Sequence, residues 1–306
     1  MREQKRNLIK KFRILKLAAI DIGSNAARLL ISEVVINGSG EPQFNKLNLV
    51  RVPLRLGFDV FEYGIISRPK IEMVLQTMKA YRHLCNAYDV EHIKACATSA
   101  MRDATNAKEI INRIKQETSI EIEVITGDME AGLVYENHVA ENMNKDNSYL
   151  YIDVGGGSTE LSFFSNGILI FKKSFNIGTI RLLKNLVTDN NWDEMKDSIR
   201  SITKAQKKVV AIGSGGNINK VFSMSKKKDG KPLMLDLLRD YYKELGSVTL
   251  EQRITIYNLR EDRADVILPA LQIYINAMRW ASADEIYVPK IGLADGLIKH
   301  LYEEVK

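Results

Sequence analysis

The sequence predicts an α/β protein built from two related domains. Strand-like and helix-like stretches alternate along its 306 residues, which leave room for two medium domains. One plan also occurs twice: an apolar strand, an aspartate, a glycine-containing turn and a second apolar strand. The two aspartates, Asp21 and Asp153, are separated by 132 positions (153 minus 21). This self-similarity indicates a duplicated domain in which each half opens with a strand–turn–strand unit.

The first half opens with an apolar strand at residues 17–20, which ends at Asp21 and leads through "GSNAA" into a second strand, "RLLISEVVI". Residues 69–87 then carry apolar side chains at helical spacing and predict a long helix. "HIKACATSA" predicts a strand that runs into a loop, and residues 101–116 predict another helix. "IEIEVITG" shows the alternation of a strand.

The second half continues the same alternation. From Asp128, "DMEAGLVYENHVAENM" predicts a helix that connects the halves, and "YIDVGGGSTELSFF" predicts two strands around a glycine turn. "KKVVAIGSGGNINKVF" predicts a strand, a glycine-rich turn and a helix. Residues 263–278 predict a long helix, "EIYVPK" a strand, and residues 295–304 a further helix.

Composition and charge narrow the classes of function. The chain is 45% hydrophobic and contains no apolar run long enough to span a membrane. Its net charge of +6 favours an anionic partner, but no zinc-finger or aromatic-rich RNA-binding motif points to nucleic acid. The two cysteines, Cys85 and Cys96, lack metal-site spacing and predict buried thiols in a reducing cytoplasm.

The glycine triplet after Asp153 predicts a phosphate-binding turn. A bound phosphate needs several backbone N–H groups on one concave turn, which glycine permits, and hydroxyl groups add further donors. An aspartate at the end of the preceding strand can hold a divalent cation that faces the same phosphate. We therefore expect Asp153 and Glu160 to be cation ligands beside a phosphate cradle formed by Gly155, Gly156, Gly157, Ser158 and Thr159.

A lone glycine triplet is equally consistent with a flexible hairpin, so two further loops matter. The matched turn in the first half contains Gly23, Ser24 and Asn25. A third loop precedes a helix, whose N-terminus favours anions, and contains Gly213, Ser214, Gly215 and Gly216. The third loop lacks the dinucleotide fingerprint, and no Walker lysine motif occurs. Three such turns around one cleft predict a substrate that carries phosphoryl groups.

Six motifs together resemble the exopolyphosphatase and guanosine pentaphosphate phosphohydrolase family. They are "AAIDIGSNAARLLI", "ATSAMRDATN", "ITGDMEA", "YIDVGGGSTELS", "AIGSGGNINK" and "EDRADVILPA". They follow the family's order and cover nearly the whole chain. The resemblance implies two duplicated RNase H-like domains around a central cleft, as in the superfamily of actin-like ATPases, sugar kinases and heat-shock chaperones. We expect the first domain at residues 13–130 plus 292–306, and the second at residues 131–291.

The resemblance also implies roles for individual residues. Glu130 matches the family's catalytic glutamate, which would orient or deprotonate the attacking water; without the resemblance it reads as an ordinary residue of a first helical turn. Asp153 and Glu160 match acids on the Mg²⁺ side, and Asp21 is a further candidate ligand. Arg102 matches an arginine that reaches the phosphate chain.

Two other arginines are candidates for the substrate site. Arg263 is expected to act as Arg102 does, because a guanidinium group can bind two phosphate oxygens, although an ordinary surface ion pair is the alternative for either residue. Arg28 either adds positive charge to the first cradle or simply begins its strand. A monovalent cation such as K⁺ is left open as a second cofactor.

The favoured function is Mg²⁺-dependent release of orthophosphate from inorganic polyphosphate, with pppGpp 5′-phosphohydrolysis as the alternative. A small-molecule kinase of the same fold and a non-catalytic polyphosphate or alarmone sensor are the competing classes. We expect a polyanionic phosphate substrate, no nucleic acid, no membrane and a homodimer. The acids Glu130, Asp153 and Glu160 argue against a sensor, which has no use for a water-activating acid.

Overall fold

A computed structural model describes residues 13–36, 41–135, 146–206 and 208–306. These residues form two mixed β-sheets with helices, which confirms the α/β class. Within the described ranges, every helix is too short or too polar to cross a bilayer. Each sheet has its own apolar core, as expected for two structural units.

The first sheet contains five strands in the order β3-β2-β1-β4-β5. Their bounds are β1 (Arg13–Ile22), β2 (Ala27–Ile36), β3 (Pro42–Val52), β4 (His92–Ala97) and β5 (Ile122–Val124). The first three strands form an antiparallel meander, and β4 and β5 join β1 in parallel. β1 lies at the centre of the sheet, and its apolar side chains are buried on both faces.

Five helices accompany this sheet. They are α1 (Gly57–Tyr63), α2 (Arg68–Ala87), α3 (Ser99–Asp103), α4 (Ala107–Thr118) and α5 (Gly127–Tyr135). The predicted helix at 69–87 corresponds to α2, in which Pro69 occupies the first turn and an apolar stripe that includes Val74, Met78 and Tyr81 is buried. This stripe covers one face of the sheet.

The second sheet contains six strands in the order β10-β11-β9-β6-β7-β8. Their bounds are β6 (Ser148–Val154), β7 (Thr159–Ser165), β8 (Ile168–Phe175), β9 (Val209–Ser214), β10 (Leu233–Met234) and β11 (Glu285–Tyr287). The helices are α6 (Thr179–Leu183), α7 (Asp189–Thr203), α8 (Gly216–Met224), α9 (Leu235–Gly246), α10 (Leu250–Tyr257), α11 (Glu261–Ala264), α12 (Ile267–Trp280) and α13 (Leu293–Val305). Strands β6 to β8 again form an antiparallel meander, which β9 and β11 join in parallel.

The two sheets therefore share one strand order, with β6, β7, β8, β9 and β11 in the places of β1 to β5. This repetition is the structural form of the duplicated motif in the sequence. Helix α13 follows the second sheet in the chain but packs against β1, β2 and β4 of the first. Its buried residues, such as Leu297 and Ile298, join Leu15 and Leu17 in one core cluster.

The predicted helix at residues 101–116 is wrong, because the chain forms α3 and α4 with a break between them. Ala104 has an extended conformation, and the Asn106 side chain bonds both backbone groups of Ile66 at 2.9 and 3.0 Å. The Thr105 N–H also donates to the carbonyl of Gly64. These tertiary hydrogen bonds interrupt a segment whose local spacing is helical.

The predicted helix at residues 263–278 is also divided, into α11 and α12. A continuous helix would need an N–H at position 269 to donate to the carbonyl of Asp265, and Pro269 has none. The chain therefore turns at Asp265 and Val266 before α12 begins at Ile267. The predicted connecting helix is observed as α5, and its continuation at 136–143 lies outside the described residues.

Candidate active site

Two hairpin loops of equal length face the cleft between the sheets. The first joins β1 to β2 and the second joins β6 to β7. In each loop the glycine two positions after the aspartate donates its N–H to a carbonyl three residues later. Gly23 donates to Ala26 at 3.0 Å, and Gly155 donates to Ser158 at 2.9 Å. The predicted duplication thus extends to the hydrogen bond inside the turn.

The two loops touch one another at Gly156. A Cβ added there would lie 3.0 Å from the Cβ of Ser24 and 3.3 Å from the amide nitrogen of Asn25. The carbonyls of Gly155 and Gly156 accept hydrogen bonds from Thr179 and Ile180 at the start of α6. In the described part of the chain, the N–H groups of Gly156 and Ser158 have no acceptor. Unsatisfied N–H groups on a turn are the donors that an anion needs.

The third glycine loop ends β9 and leads into α8. Gly215 has φ +116°, a conformation that favours glycine, and Tyr274 donates its hydroxyl to the carbonyl of Ser214. A Cβ added at Gly216 would lie 3.1 Å from Nη2 of Arg263 and 3.5 Å from Nη2 of Arg28. Two guanidinium groups therefore converge on the N-terminus of α8, where anions are already favoured.

Five carboxylates line the same cleft, which has a volume of about 300 Å³. They are Asp21, Glu130, Asp153, Glu160 and Asp295, of which Asp295 pairs with Lys46 at 2.5 Å. Burial raises the pKa of Asp153 to about 6. The pKa of Glu160 is also raised, mainly by burial and in addition by the negative charge of Asp153. Burial and then the charges of Glu160 and Asp153 hold the pKa of Glu130 well above its ordinary value. The charges of Glu130, Asp153 and Glu160 act on one another, so these three carboxylates lie close together in the cleft.

Glu130 lies in the first turn of α5, where the chain leaves the first sheet for the second. Its Oε2 atom is buried and has no hydrogen-bond partner among the described residues. Close packing fixes the helix at both ends: a Cβ at Gly127 would lie 2.3 Å from that of Ser174, and one at Gly296 of α13 would overlap the carbonyl of Leu133. The orphaned oxygen is therefore held rigidly at the cleft.

Five cationic side chains also line the cleft. They are Arg28, Lys46, Arg51, Arg263 and Lys290. Arg28 pairs with Asp21 at 2.8 Å, and this ion pair opposes the effect of burial, which raises the pKa of Asp21. Burial, followed by the charge of Arg51, lowers the pKa of Arg263 to about 10. Cations crowded in this way favour a ligand that carries several negative charges.

Most predicted site residues line this cleft, but four do not. Those brought together are Asp21, Gly23, Ser24, Asn25, Arg28, Glu130, Asp153, Gly155, Gly156, Ser158, Glu160, Ser214, Gly215, Gly216 and Arg263. Gly157 packs against Phe61 and Ser99, and Gly213 packs against Ile286. Thr159 is fully buried and donates to the carbonyl of Ile177 at 2.5 Å.

Arg102, the fourth of these residues, points to the connection between β5 and α5. Its Nη1 atom donates to the carbonyl of Ile125 at 2.8 Å. The positive charge of Arg102 also lowers the pKa values of Glu130 and Glu160, although less than burial raises them. The structure therefore places this guanidinium group beside the carboxylates rather than in the cleft lining.

Sequence reasoning missed several lining residues. Ser99 connects two loops, because its hydroxyl bonds that of Ser24 at 2.7 Å and lies against Gly157. Its position inside "ATSAMRD" was a usable signal. Lys46 and Arg51 lie on β3, and Lys290 lies in the loop after β11. No local motif marks these three cations, which only the strand order brings to the cleft.

Comparison with known proteins gives a family and several relatives. The model of the Ppx/GppA phosphatase family matches residues 35–304. A bifunctional 3-dehydroquinate synthase/phosphatase of Fusobacterium nucleatum is 34% identical over 177 residues, which are 56% of this chain but only 26% of that protein. Exopolyphosphatase 1 of Mycobacterium bovis is 22% identical over 304 residues, covering 93% of this chain and 87% of its own length.

A solved structure agrees with the fold over nearly the whole chain. The crystal structure of an exopolyphosphatase from Cytophaga hutchinsonii is 25% identical and superposes with a TM-score of 0.82. The superposition covers 95% of this chain and 99% of the other. The family resemblance of the six motifs is confirmed, and with it the two-domain architecture around a cleft.

Proposed function

Because the chain belongs to the Ppx/GppA phosphatase family, we propose that it hydrolyses terminal phosphoanhydride bonds and releases orthophosphate from inorganic polyphosphate. One observation carries the proposal: three glycine-rich loops, five cationic side chains and a buried glutamate, one of whose carboxylate oxygens has no partner among the described residues, all line one cleft. Hydrolysis of a phosphoanhydride requires these parts, namely charge neutralisation around the phosphoryl group and a group that directs water.

Glu130 is the proposed general base. Its buried Oε2 atom has no partner among the described residues and is available to a water molecule. A carboxylate whose pKa is raised toward the working pH accepts a proton more readily than an ordinary glutamate does. The N–H groups of the two hairpin loops would hold the terminal phosphoryl group, while Arg28 and Arg263 would neutralise its oxygens.

Mg²⁺ is the proposed cofactor, and the donor set fits it. Asp153 and Glu160 face one another across β6 and β7, and both present the carboxylate oxygens that Mg²⁺ prefers. Asp21 fits less well, because Arg28 already occupies its Oδ2 atom. Across the described ranges, no three acidic, histidine or cysteine side chains converge as a ready-made metal site. Mg²⁺ is commonly held by one or two carboxylates together with substrate phosphates, where it neutralises phosphoryl charge.

The cleft lining favours inorganic polyphosphate over pppGpp. Among the described residues that line it, five carry positive charge and none is Phe, Tyr or Trp. A guanine base is usually held by stacking or by a dedicated apolar pocket, whereas a phosphate chain needs only cations and N–H groups. Hydrolysis of pppGpp by the same machinery remains the second candidate function.

The experiment is a phosphate-release assay on long-chain polyphosphate, tripolyphosphate, pppGpp and ATP, with Mg²⁺ and with EDTA. We expect Mg²⁺-dependent release from polyphosphate and a loss of roughly 10²–10⁴-fold in Glu130→Gln. Asp128→Asn is the matched control, because Asp128 is an exposed acid of the same helical turn. Full activity in Glu130→Gln contradicts its assigned role.

The same assay separates the alternatives. Preference for pppGpp moves the assignment to the second candidate without changing the mechanism. ATP consumption only in the presence of an added acceptor indicates a kinase, and tight binding without release indicates a sensor. We further propose that the protein acts as a homodimer in the cytoplasm; Cys85 and Cys96, both buried and unbridged, are consistent with a reducing compartment.

A further inference from the structure

Arg51 of the first sheet forms an ion pair with Asp262 of helix α11, and the pair has poor hydrogen-bond geometry. Nη1 of Arg51, on β3, lies 2.5 Å from Oδ2 of Asp262, on α11. Both atoms are buried, and neither has a hydrogen bond of acceptable geometry with a described residue. Nε of Arg51 also lacks an acceptor. The half-buried guanidinium group of Arg51 thus lines the cleft with one donor that lacks an acceptor and a second held in a poorly aligned ion pair, so it can take another acceptor.

The cations around Arg51 are not balanced by acids. Arg51 lies opposite Arg28 in the register of β2 and β3, and its charge also bears on Arg263. The Arg263 side chain has no hydrogen bond or ion pair within the described ranges. Arg28 is already paired with Asp21. An anion bound between Arg51 and Arg263 would relieve this excess of positive charge.

We propose that Arg51 is a further substrate-binding residue, which binds together with Arg263 the phosphate next to the terminal one, and that Asp262 competes with this phosphate for Arg51. The inference rests on the proposed function, since it places a second phosphate of the same chain. The exchange is feasible because Arg260 also contacts Asp262, with Nε 3.2 Å from Oδ1. When phosphate takes Arg51, Asp262 keeps one cationic partner and is not left as an unpaired buried charge.

A second ion pair, between the loop after β3 and the turn after α11, provides a matched control. Nη2 of Arg55 donates to Oδ2 of Asp265 at 2.5 Å, and neither residue lines the cleft. If pairs of this kind merely connected the domains, variants at Arg51 and Arg55 would behave alike. The proposal instead predicts that Arg51 and Asp262 have opposite effects on anion affinity, and that the control pair has almost none.

The test is calorimetric titration with tripolyphosphate and with orthophosphate, in EDTA and again with Mg²⁺ in the Glu130→Gln background. We expect wild-type protein to bind tripolyphosphate more tightly than orthophosphate. Arg51→Gln should weaken tripolyphosphate binding at least tenfold and orthophosphate binding much less. Asp262→Asn should strengthen tripolyphosphate binding severalfold, whereas Arg55→Gln and Asp265→Asn should change it less than about twofold.

Two controls keep the result interpretable. Thermal unfolding identifies a variant that has lost its fold, and Arg51→Lys, which keeps the charge without the fork, should show an intermediate loss. The proposal is overturned if Arg51→Gln and Asp262→Asn shift the affinity in the same direction, or if wild type binds the two anions equally. If the opposite shifts occur but no phosphate is released, the subsite stands and the proposed hydrolysis fails.

Discussion

The two glycine hairpins of the molecule share a backbone but differ in charge. In each, the aspartate at the end of the first strand faces a residue seven positions later across the hairpin. Asp21 faces Arg28, and the two form an ion pair of 2.8 Å. Asp153 faces Glu160, so that a half-buried and a fully buried carboxylate stand directly opposite one another.

This difference shows how a duplicated fold divides one task. Like charges placed directly across a hairpin are destabilising, and burial also disfavours the charged form of each acid, so both pKa values are raised. The first half neutralises its own acid and contributes a cation to the cleft. In the second half two acids face one another, which suits the Mg²⁺ site proposed above.

Removing one carboxylate from each hairpin should affect activity unequally. Asp153→Asn should lower kcat/KM for polyphosphate roughly 10²–10³-fold in Mg²⁺, because it removes a proposed metal ligand. Asp21→Asn should lower it roughly tenfold, because Arg28 already occupies that carboxylate. Steady-state phosphate release measures both values. Equal losses in the two variants would mean that the hairpins do not differ in function.

The unequal charges should also appear in the pH dependence of stability. Because the pKa of Asp153 is raised to about 6 in the folded protein, its stabilising contribution is complete below about pH 4 and is lost by about pH 6. In EDTA, the free energy of unfolding of wild type should therefore fall by about 3 kcal/mol relative to Asp153→Asn across this window. Urea unfolding from pH 4 to pH 7 tests this, and parallel curves for the two proteins would contradict it.

The contact between the hairpins should tolerate a side chain on only one of them. Gly156→Ala should lower the free energy of unfolding by about 1–3 kcal/mol, because the new Cβ would meet Ser24 at 3.0 Å. Adding Ser24→Gly should restore part of this loss. Gly246→Ala is the control, since a Cβ there meets nothing within 4 Å. Additive effects of the two changes, measured by urea unfolding, would show that the loops do not press on one another.

The smallest expected loss of activity follows from removing the hydrogen bond between Ser174 and Glu160, which has no counterpart at Arg28 among the described residues of the first hairpin. Ser174 donates its hydroxyl to Oε1 of Glu160 at 2.8 Å, which favours the charged form of that acid. Ser174→Ala should lower kcat/KM several-fold, corresponding to about 1 kcal/mol, and should move the acidic limb of the pH–rate profile to higher pH. Ser225→Ala is the control, because Ser225 donates only to a backbone carbonyl. If the acidic limb of the pH–rate profile does not move, the Ser174 hydroxyl does not influence the titration of Glu160.

The duplicated fold could be predicted from the sequence because the repeated motif is local. The motif at Asp21 and its repeat at Asp153 each predict a strand, a glycine turn and a second strand, and the structure contains this hairpin at both places. Helix boundaries were less readable, since tertiary contacts decide them. The break after Asp103 depends on hydrogen bonds from Asn106 to Ile66, and no periodicity within residues 101–116 reports these bonds.

Site residues that belong to a local motif could be predicted from the sequence. Those that strand pairing brings to the cleft could not. The three loops belong to contiguous stretches whose glycines, hydroxyls and acids indicate phosphate binding, whereas the role of Glu130 was predicted only from the family resemblance of its motif. Arg51 enters the cleft only because β3 pairs with β2 in a register that sets it opposite Arg28. Arg102 shows the converse: its motif was visible, but the direction of its side chain depends on the carbonyl of Ile125.

Helix α13 has a consequence for the order of events during synthesis. It covers Leu15, Leu17 and Ala19 of the first sheet, yet it is translated after the whole second sheet. At about 5–20 residues per second, the stretch of about 170 residues between β5 and α13 takes roughly 10–30 s to emerge. Throughout that interval the nascent first domain exposes an apolar face that a chaperone could recognise. Helix α5, which carries Glu130 and packs against α13, therefore gains this contact only after the second sheet has been synthesised.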